Sequence, residues 1–233
     1  MKRFYREVAT AQHGSGWRVT LDGRPIKTAG SRAQIVPSLA LATALAAEWD
    51  GQDDTIDPTR FVLRDMADYA IDVVATGRGE VQRAILGFAE SDTLCYRGDP
   101  DEALWAHQQQ QWEPLLTAAE SRWDIYFVRV CGIIHRPQPP ETLTRLAAVV
   151  AALDDFTLAA LHTLTSLAAS LVLGLAALEA DADIPALWAA AHVEEDWQAA
   201  LWGRDEEAAA RQMQRGVLFT AAAEFVRLLR VAG

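Results

Sequence analysis

Residues 185–211 bring Trp188, Trp197 and Trp202 together with a carboxylate cluster that includes Glu194, Glu195, Asp196, Asp205 and Glu206. Pro185 suits a first helical position and Gly203 the position just past a helix end, so the spacing predicts one helix over 186–202. At 100° per residue, that helix carries Leu187, Val193, Trp197, Leu201 and Trp202 on one wide face. Glu194 falls near the middle of this face, with His192 and Asp196 on the other side. A carboxylate inside an apolar stripe is costly to bury unless something pairs with it. Glu194 is therefore either half of an internal ion pair, with Arg204 or Arg211 opposite, or a group that recognises an Arg or backbone N–H of a partner.

Metal chemistry is the alternative. His192 and Glu195 are three apart and could share a metal, with His162 from a second helix as a third ligand, which would make a metal-dependent hydrolase. However, the five histidines are scattered, and the chain has neither a His-Glu-x-x-His motif nor a second Glu-x-x-His pair. No metal or cofactor is expected. Gly14-Ser15-Gly16 is neither a phosphate loop nor a nucleophile elbow and reads as a hairpin turn. With no nucleophile, base and orienting carboxylate in recognisable spacing, the expectation is a binding protein rather than an enzyme. Trp105 and Trp112, seven residues apart on a glutamine-rich helix, are further candidate anchors for a partner.

The elements that position these residues change character along the chain. Trp17–Leu21 alternates apolar and polar residues and Asp22-Gly23 is a hairpin signal; further strands are expected at Phe4–Ala9, Ile26–Thr28 and Gln34–Val36. Ser38 caps a helix carrying Leu39, Ala42, Leu45, Ala46 and Trp49, and another helix follows at Leu63–Ala75. Gly77-Arg78-Gly79 marks a boundary between a domain over 1–78 and one over 79–233. Beyond it helices are expected near 80–94, 101–122 (kinked or restarted at Pro114), 141–152, 155–179, 186–202 and 205–230. Ile125–Ile134 reads as extended. The predicted class is α+β, a small amino-terminal mixed α/β domain before a larger helical bundle.

The 233 residues carry a net charge of −11, and residues 101–210 hold 17 acids against 5 bases. This argues against nucleic acid as a partner and suits either a solvated surface or one complementary to a basic partner. Phe156–Leu178 is uncharged and long enough to span a bilayer. Acids flank it and a small-residue stripe runs along it, so a buried bundle helix is expected and membrane insertion is not. Cys95 and Cys131 read as reduced thiols. No apolar run follows Lys2-Arg3, so no signal peptide is expected.

The chain resembles the ATP synthase assembly chaperones that attend the alpha subunit of the catalytic head, found in mitochondria and alphaproteobacteria. The resemblance rests on Arg3-Phe4-Tyr5, Leu21-Asp-Gly-Arg-Pro-Ile-Lys-Thr28, Glu48-Trp49 with Gln52, Ile56-Asp-Pro58, Ala70-Ile-Asp72 and Ser91-Asp-Thr-Leu-Cys-Tyr-Arg97. It continues through Gln111-Trp112, Pro114-Leu-Leu116, Ser170-Leu-Val-Leu173, Glu195-Asp-Trp-Gln198 and Trp202-Gly203 with Asp205-Glu-Glu-Ala208. The chain departs from that pattern at Phe61-Val-Leu-Arg64, at Tyr69, and at Ala169, where the family usually has Gly. The resemblance implies a mixed domain followed by an orthogonal helical bundle. It also implies a monomer that binds unassembled alpha subunit and shields the surface later covered by the beta subunit, in a bacterial cytoplasm or a mitochondrial matrix. The side chains expected to contact that client are Glu194, Glu195, Asp196, Trp197, Trp202, Asp205, Glu206, Trp105 and Trp112.

Overall fold

A computed structural model describes residues 1–132 and 134–231. Val8–His13 (β1) and Gly16–Leu21 (β2) form an antiparallel hairpin in which His13 faces Gly16, and Gly14 takes φ 61 in the turn. Asp22 and Gly23, at φ 49 and 76, return the chain into Arg24–Pro25 (β3), with Leu21 opposite Arg24. Two successive positive φ values are the turn geometry that Asp-Gly favours. The strand expected at Phe4–Ala9 begins only at Val8. Upstream of it, the amides of Arg6 and Glu7 donate to the Asp22 carboxylate at 3.0 and 2.9 Å, which takes them out of any ladder. Ile26–Thr28 and Gln34–Val36 are reduced to isolated bridges, Lys27 with Ala33 and Trp17 with Val36.

Leu39–Asp50 (α1) starts where expected. Ser38 Oγ accepts from Leu41 N at 3.1 Å and its hydroxyl donates to Leu228 O at 2.7 Å. Val62–Tyr69 (α2) has no side-chain cap of its own at Phe61; Glu48 supplies one from α1, accepting from Leu63 N at 2.7 Å and Arg64 N at 2.9 Å. A π-helical turn over Ala70–Val74 leads directly into Ala75–Glu90 (α3). Gly77, at φ −130 and ψ 32, kinks that helical run. The Gly77-Arg78-Gly79 signal falls on this kink in a continuous helical run.

Tyr96–Arg97 (β4) pairs in parallel with Val130–Cys131 (β5), and between them runs Ala103–Trp123 (α4). Pro114 neither ends nor restarts α4. It cannot donate to the carbonyl of Gln110, but buried Trp112, Leu116 and Ala119 hold the helix along one face. The extended run expected over 125–134 yields only β5, and its Ile133 lies outside the described residues. Side chains replace a ladder there: Phe127 N donates to Glu120, Val128 N to Gln138, and Thr142 Oγ1 to Tyr126 O.

The remaining helices are Pro140–Ala151 (α5), Asp155–Ala168 (α6), Leu171–Ala176 (α7), Ile184–Ala190 (α8), Val193–Trp202 (α9) and Glu206–Arg230 (α10). The single helix expected over 155–179 is broken. Ala169 adopts left-handed φ 49, and Ser170 caps α7 by accepting from Leu173 N at 3.0 Å. Gly174 allows α7 to approach Thr165 of α6, whose Oγ1 would lie 2.5 Å from a Cβ at that position. Among the described residues, no helix is long and apolar enough to cross a membrane.

The architecture is α+β, a small amino-terminal sheet region and a larger helical part. It forms two compact units: Met1–Arg78 with Asp154–Ala160 and the chain from Ala221 onward, and Gly79–Leu153 with Leu161–Thr220.

Candidate functional site

The helix expected over 186–202 is two helices, α8 and α9. Asp183 caps α8 by accepting from Ala186 N at 3.0 Å, and α8 ends at Ala190. His192 interrupts the path at φ −123 and ψ 21; its Nδ1 lies 2.9 Å from Trp188 O and its ring packs on Trp188. It is buried, not on an outward side as the continuous helix predicted. The break resets the helical phase, so the single apolar face does not form. Leu187 and Val193 are buried, while Leu201 is 60% and Trp202 78% exposed.

Glu194, Glu195 and Asp196 fill the first turn of α9, where unpaired N–H groups favour negative charge. Glu194 is half-buried and accepts from Gln108 Nε2 at 2.6 Å. Gln108, buried on α4, accepts the Gly98 N–H on its Oε1 at 2.9 Å, which orients its NH2 toward Glu194. Burial pushes the Glu194 carboxyl above its usual range, Glu195 adds to this, and the Gln108 bond opposes both. Neither expected ion pair forms: Arg204 lies 3.8 Å from Asp196 and Arg211 pairs with Glu207 at 2.7 Å. A neutral amide holds one Glu194 oxygen, and among the described residues Oε2 has no hydrogen-bond partner.

The other expected contact residues divide. Glu195 and Glu206 are exposed, Asp196 is exposed with Gln212 Nε2 3.4 Å away, and Trp197 is half-buried with its ring 5.3 Å from that of His107. Asp205 is exposed but engaged as the cap of α10, accepting from Glu207 N at 2.8 Å and Ala208 N at 3.0 Å; these bonds hold its carboxyl below the usual range. Trp105 is half-buried. Trp112 must be reassigned. It is 1% exposed and its indole N–H donates to Ala190 O at 2.7 Å, so it ties α4 to α8 inside the core and presents nothing to a partner.

Met213 and Val217, both exposed and one turn apart on α10, add apolar surface that the sequence reading missed. Their spacing was visible, but they sit in a helix whose largest apolar residues, Phe219 and Phe225, are buried. A cavity of about 400 Å³ beside α8 has Pro114, Leu115 and Leu187 in its wall and Glu179, Asp181 and Asp183 around it. Among the described residues, no group of three or more His, Cys, Asp or Glu side chains is placed to hold a metal, so His162, His192 and Glu195 do not form the trio of the hydrolase reading.

Exposed apolar side chains among carboxylates on two helices suit a protein-binding surface. The ATP12 chaperone family profile matches residues 2–120. The crystal structure of Atp12 from Paracoccus denitrificans, and that of a point mutant of it, superpose with TM-score 0.93 at 38% identity over 98% of both chains. The mitochondrial protein atp12 of Schizosaccharomyces pombe is 25% identical over 219 residues, 89% of this chain and 75% of that one. The chain belongs to the ATP12 chaperone family, and it is an assembly chaperone of ATP synthase.

Proposed function

We propose that this chaperone binds the unassembled alpha subunit of the ATP synthase catalytic head through α9 and the start of α10, covering the face that later meets the beta subunit. The open Glu194 oxygen on the same helix as exposed Leu201 and Trp202 supports this reading above any other feature. An obligate interface is apolar and aggregation-prone while unassembled. A temporary cover needs a few apolar anchors for affinity and exposed charge for fast, exchangeable association. Leu201, Trp202, Met213 and Val217 are the anchors; Glu194, Glu195, Asp196 and Glu206 face Arg, Lys or backbone N–H groups of the client. Asp205 acts at one remove by starting α10. The protein works by binding alone, without nucleotide or metal, as a monomer, where the catalytic head is put together: the bacterial cytoplasm or the mitochondrial matrix.

The test is suppression of alpha-subunit aggregation, followed by light scattering, with folding checked by circular dichroism. Trp202→Ala, at an exposed position, keeps the fold and weakens suppression by about tenfold, in the range for losing an interface anchor. Glu194→Gln keeps an acceptor for Gln108 and removes only the charge, so it lowers suppression without lowering the unfolding midpoint. Undiminished suppression by both folded variants would overturn the assignment of this surface.

A further inference from the structure

A cavity of about 570 Å³ in the first unit has chemistry opposite to that of α9. Phe4, Tyr5 and Trp49 form its aromatic wall, with Phe4 and Tyr5 ring centres 5.3 Å apart and Tyr5 and Trp49 5.6 Å apart. Phe4 is 62% exposed. Arg24, Lys27 and Arg64 line the same cavity. Its two acids are engaged elsewhere: Asp22 takes the amides of Arg6 and Glu7, and Asp68 takes the Ala29 amide at 2.9 Å and the Gln34 side chain. Arg64 pairs with Asp65 at 2.6 Å and lies over Phe61, but Arg24 and Lys27 are exposed and have no ion pair among the described residues. Trp49 is 8% exposed, and its indole N–H is buried with no acceptor.

We infer that this cavity is a second polypeptide-binding site, which takes an aromatic or large apolar side chain flanked by Asp or Glu on an extended segment. The volume lies in the range of ligand sites and exceeds a single side chain. The aromatic wall receives the apolar group, and unpaired Arg24 and Lys27 select acidic neighbours within a chain of net charge −11. An extended segment is favoured over a small molecule because β3, an edge strand of the sheet β1-β2-β3, borders the cavity. This site is separate from the surface assigned to the alpha subunit and does not depend on that assignment.

Titration of the full chain with three synthetic peptides tests it: acetyl-Gly-Asp-Glu-Phe-Asp-Glu-Gly-amide, the same peptide with Lys for every acid, and the same with Ala for Phe. Calorimetry gives affinities, and the ¹⁵N indole resonance of Trp49, assigned by its loss in Trp49→Phe, reports occupancy. The acidic Phe peptide shifts that resonance and binds at least tenfold more tightly than either control. The double variant Arg24→Glu with Lys27→Glu, at two exposed positions, weakens it by tenfold or more. Equal binding of the three peptides, or a Trp49 resonance unmoved at saturating acidic peptide, would overturn the inference and leave the reading of α9 and α10 untouched.

Discussion

Asp92 is completely buried, yet its carboxylate accepts from Leu94 N at 3.1 Å and Val172 N at 3.0 Å, so it starts both the 3-10 turn at Thr93 and α7. Burial pushes its pKa up to about 6, beyond what these bonds can lower. The folded protein therefore binds a proton near pH 6, where the unfolded chain waits until the normal Asp range. Within that window the folded state holds more protons, so stability from this group is full at low pH and falls as pH rises through 6. Urea unfolding of the protein and of Asp92→Asn at pH 4 and pH 7 checks this. The difference in unfolding free energy between the two proteins moves by about 2 kcal/mol against the native chain on going from pH 4 to pH 7, at 1.36 kcal/mol per pKa unit. A constant difference contradicts the assignment. Many residues that make the sequence recognisable do similar work. Glu48 caps α2, Asp72 accepts from Thr28 Oγ1 at 2.8 Å and Gly30 N at 2.7 Å, and Tyr5 donates to Trp49 O at 2.6 Å. Such roles cannot be told from client contacts by residue type alone. Trp112 shows the limit: its type and spacing fit an interface anchor, but its single donor reaches a backbone carbonyl 78 residues away.

Hairpins and the starts of helices were legible because their signals are local: Asp22-Gly23 turns, and Ser38 caps α1. Helix interruptions were not. The breaks at Ala169 and His192 occur at residues with no breaking propensity; the first is held by distant partners, and at the second the His192 ring folds back on Trp188. The Ala169 carbonyl accepts from Thr93 N at 3.2 Å and from Thr93 Oγ1 at 2.9 Å, and Asp92 caps the next helix from the same loop. Ala169 accepts left-handed geometry that disfavours a Cβ by about 1–2 kcal/mol, which accounts for the glycine usual there in the family it resembles. Ala169→Gly removes that penalty and adds unfolded-state entropy of about 0.5–1 kcal/mol. It therefore leaves stability unchanged or raises it by up to about 1 kcal/mol in urea unfolding, whereas Ala169→Val, β-branched at the same φ, lowers it. Stabilisation by Val would show that the left-handed turn is not what this position requires. The break at His192 has the larger consequence for function, since it buries Val193 and turns Leu201 and Trp202 outward.

The charge of the whole molecule was read correctly from composition but not its disposition. Residues 101–210 carry most of the acidic excess. In the structure part of it caps helices, as with Asp183 and Asp205, part closes internal pairs, as with Glu113 and Glu120 around Arg129, and part remains open at Glu194, Glu195 and Glu206. An open acidic surface makes client capture depend on ionic strength. Raising salt from about 50 to about 500 mM slows association with the alpha subunit by about tenfold in stopped-flow fluorescence and leaves dissociation nearly unchanged. A salt-independent association rate would assign capture to the apolar anchors alone. The central claim, that this chaperone holds the alpha subunit on α9 and α10 until the beta subunit arrives, is tested most directly in one measurement. Tagged chaperone is isolated from cells depleted of beta subunit and the bound alpha subunit is quantified, beside the Trp202→Ala variant. The account predicts near-stoichiometric alpha subunit on the native chaperone, its release on adding beta subunit, and little on the variant. Absence of alpha subunit from the native chaperone, or equal recovery on the variant, would contradict it.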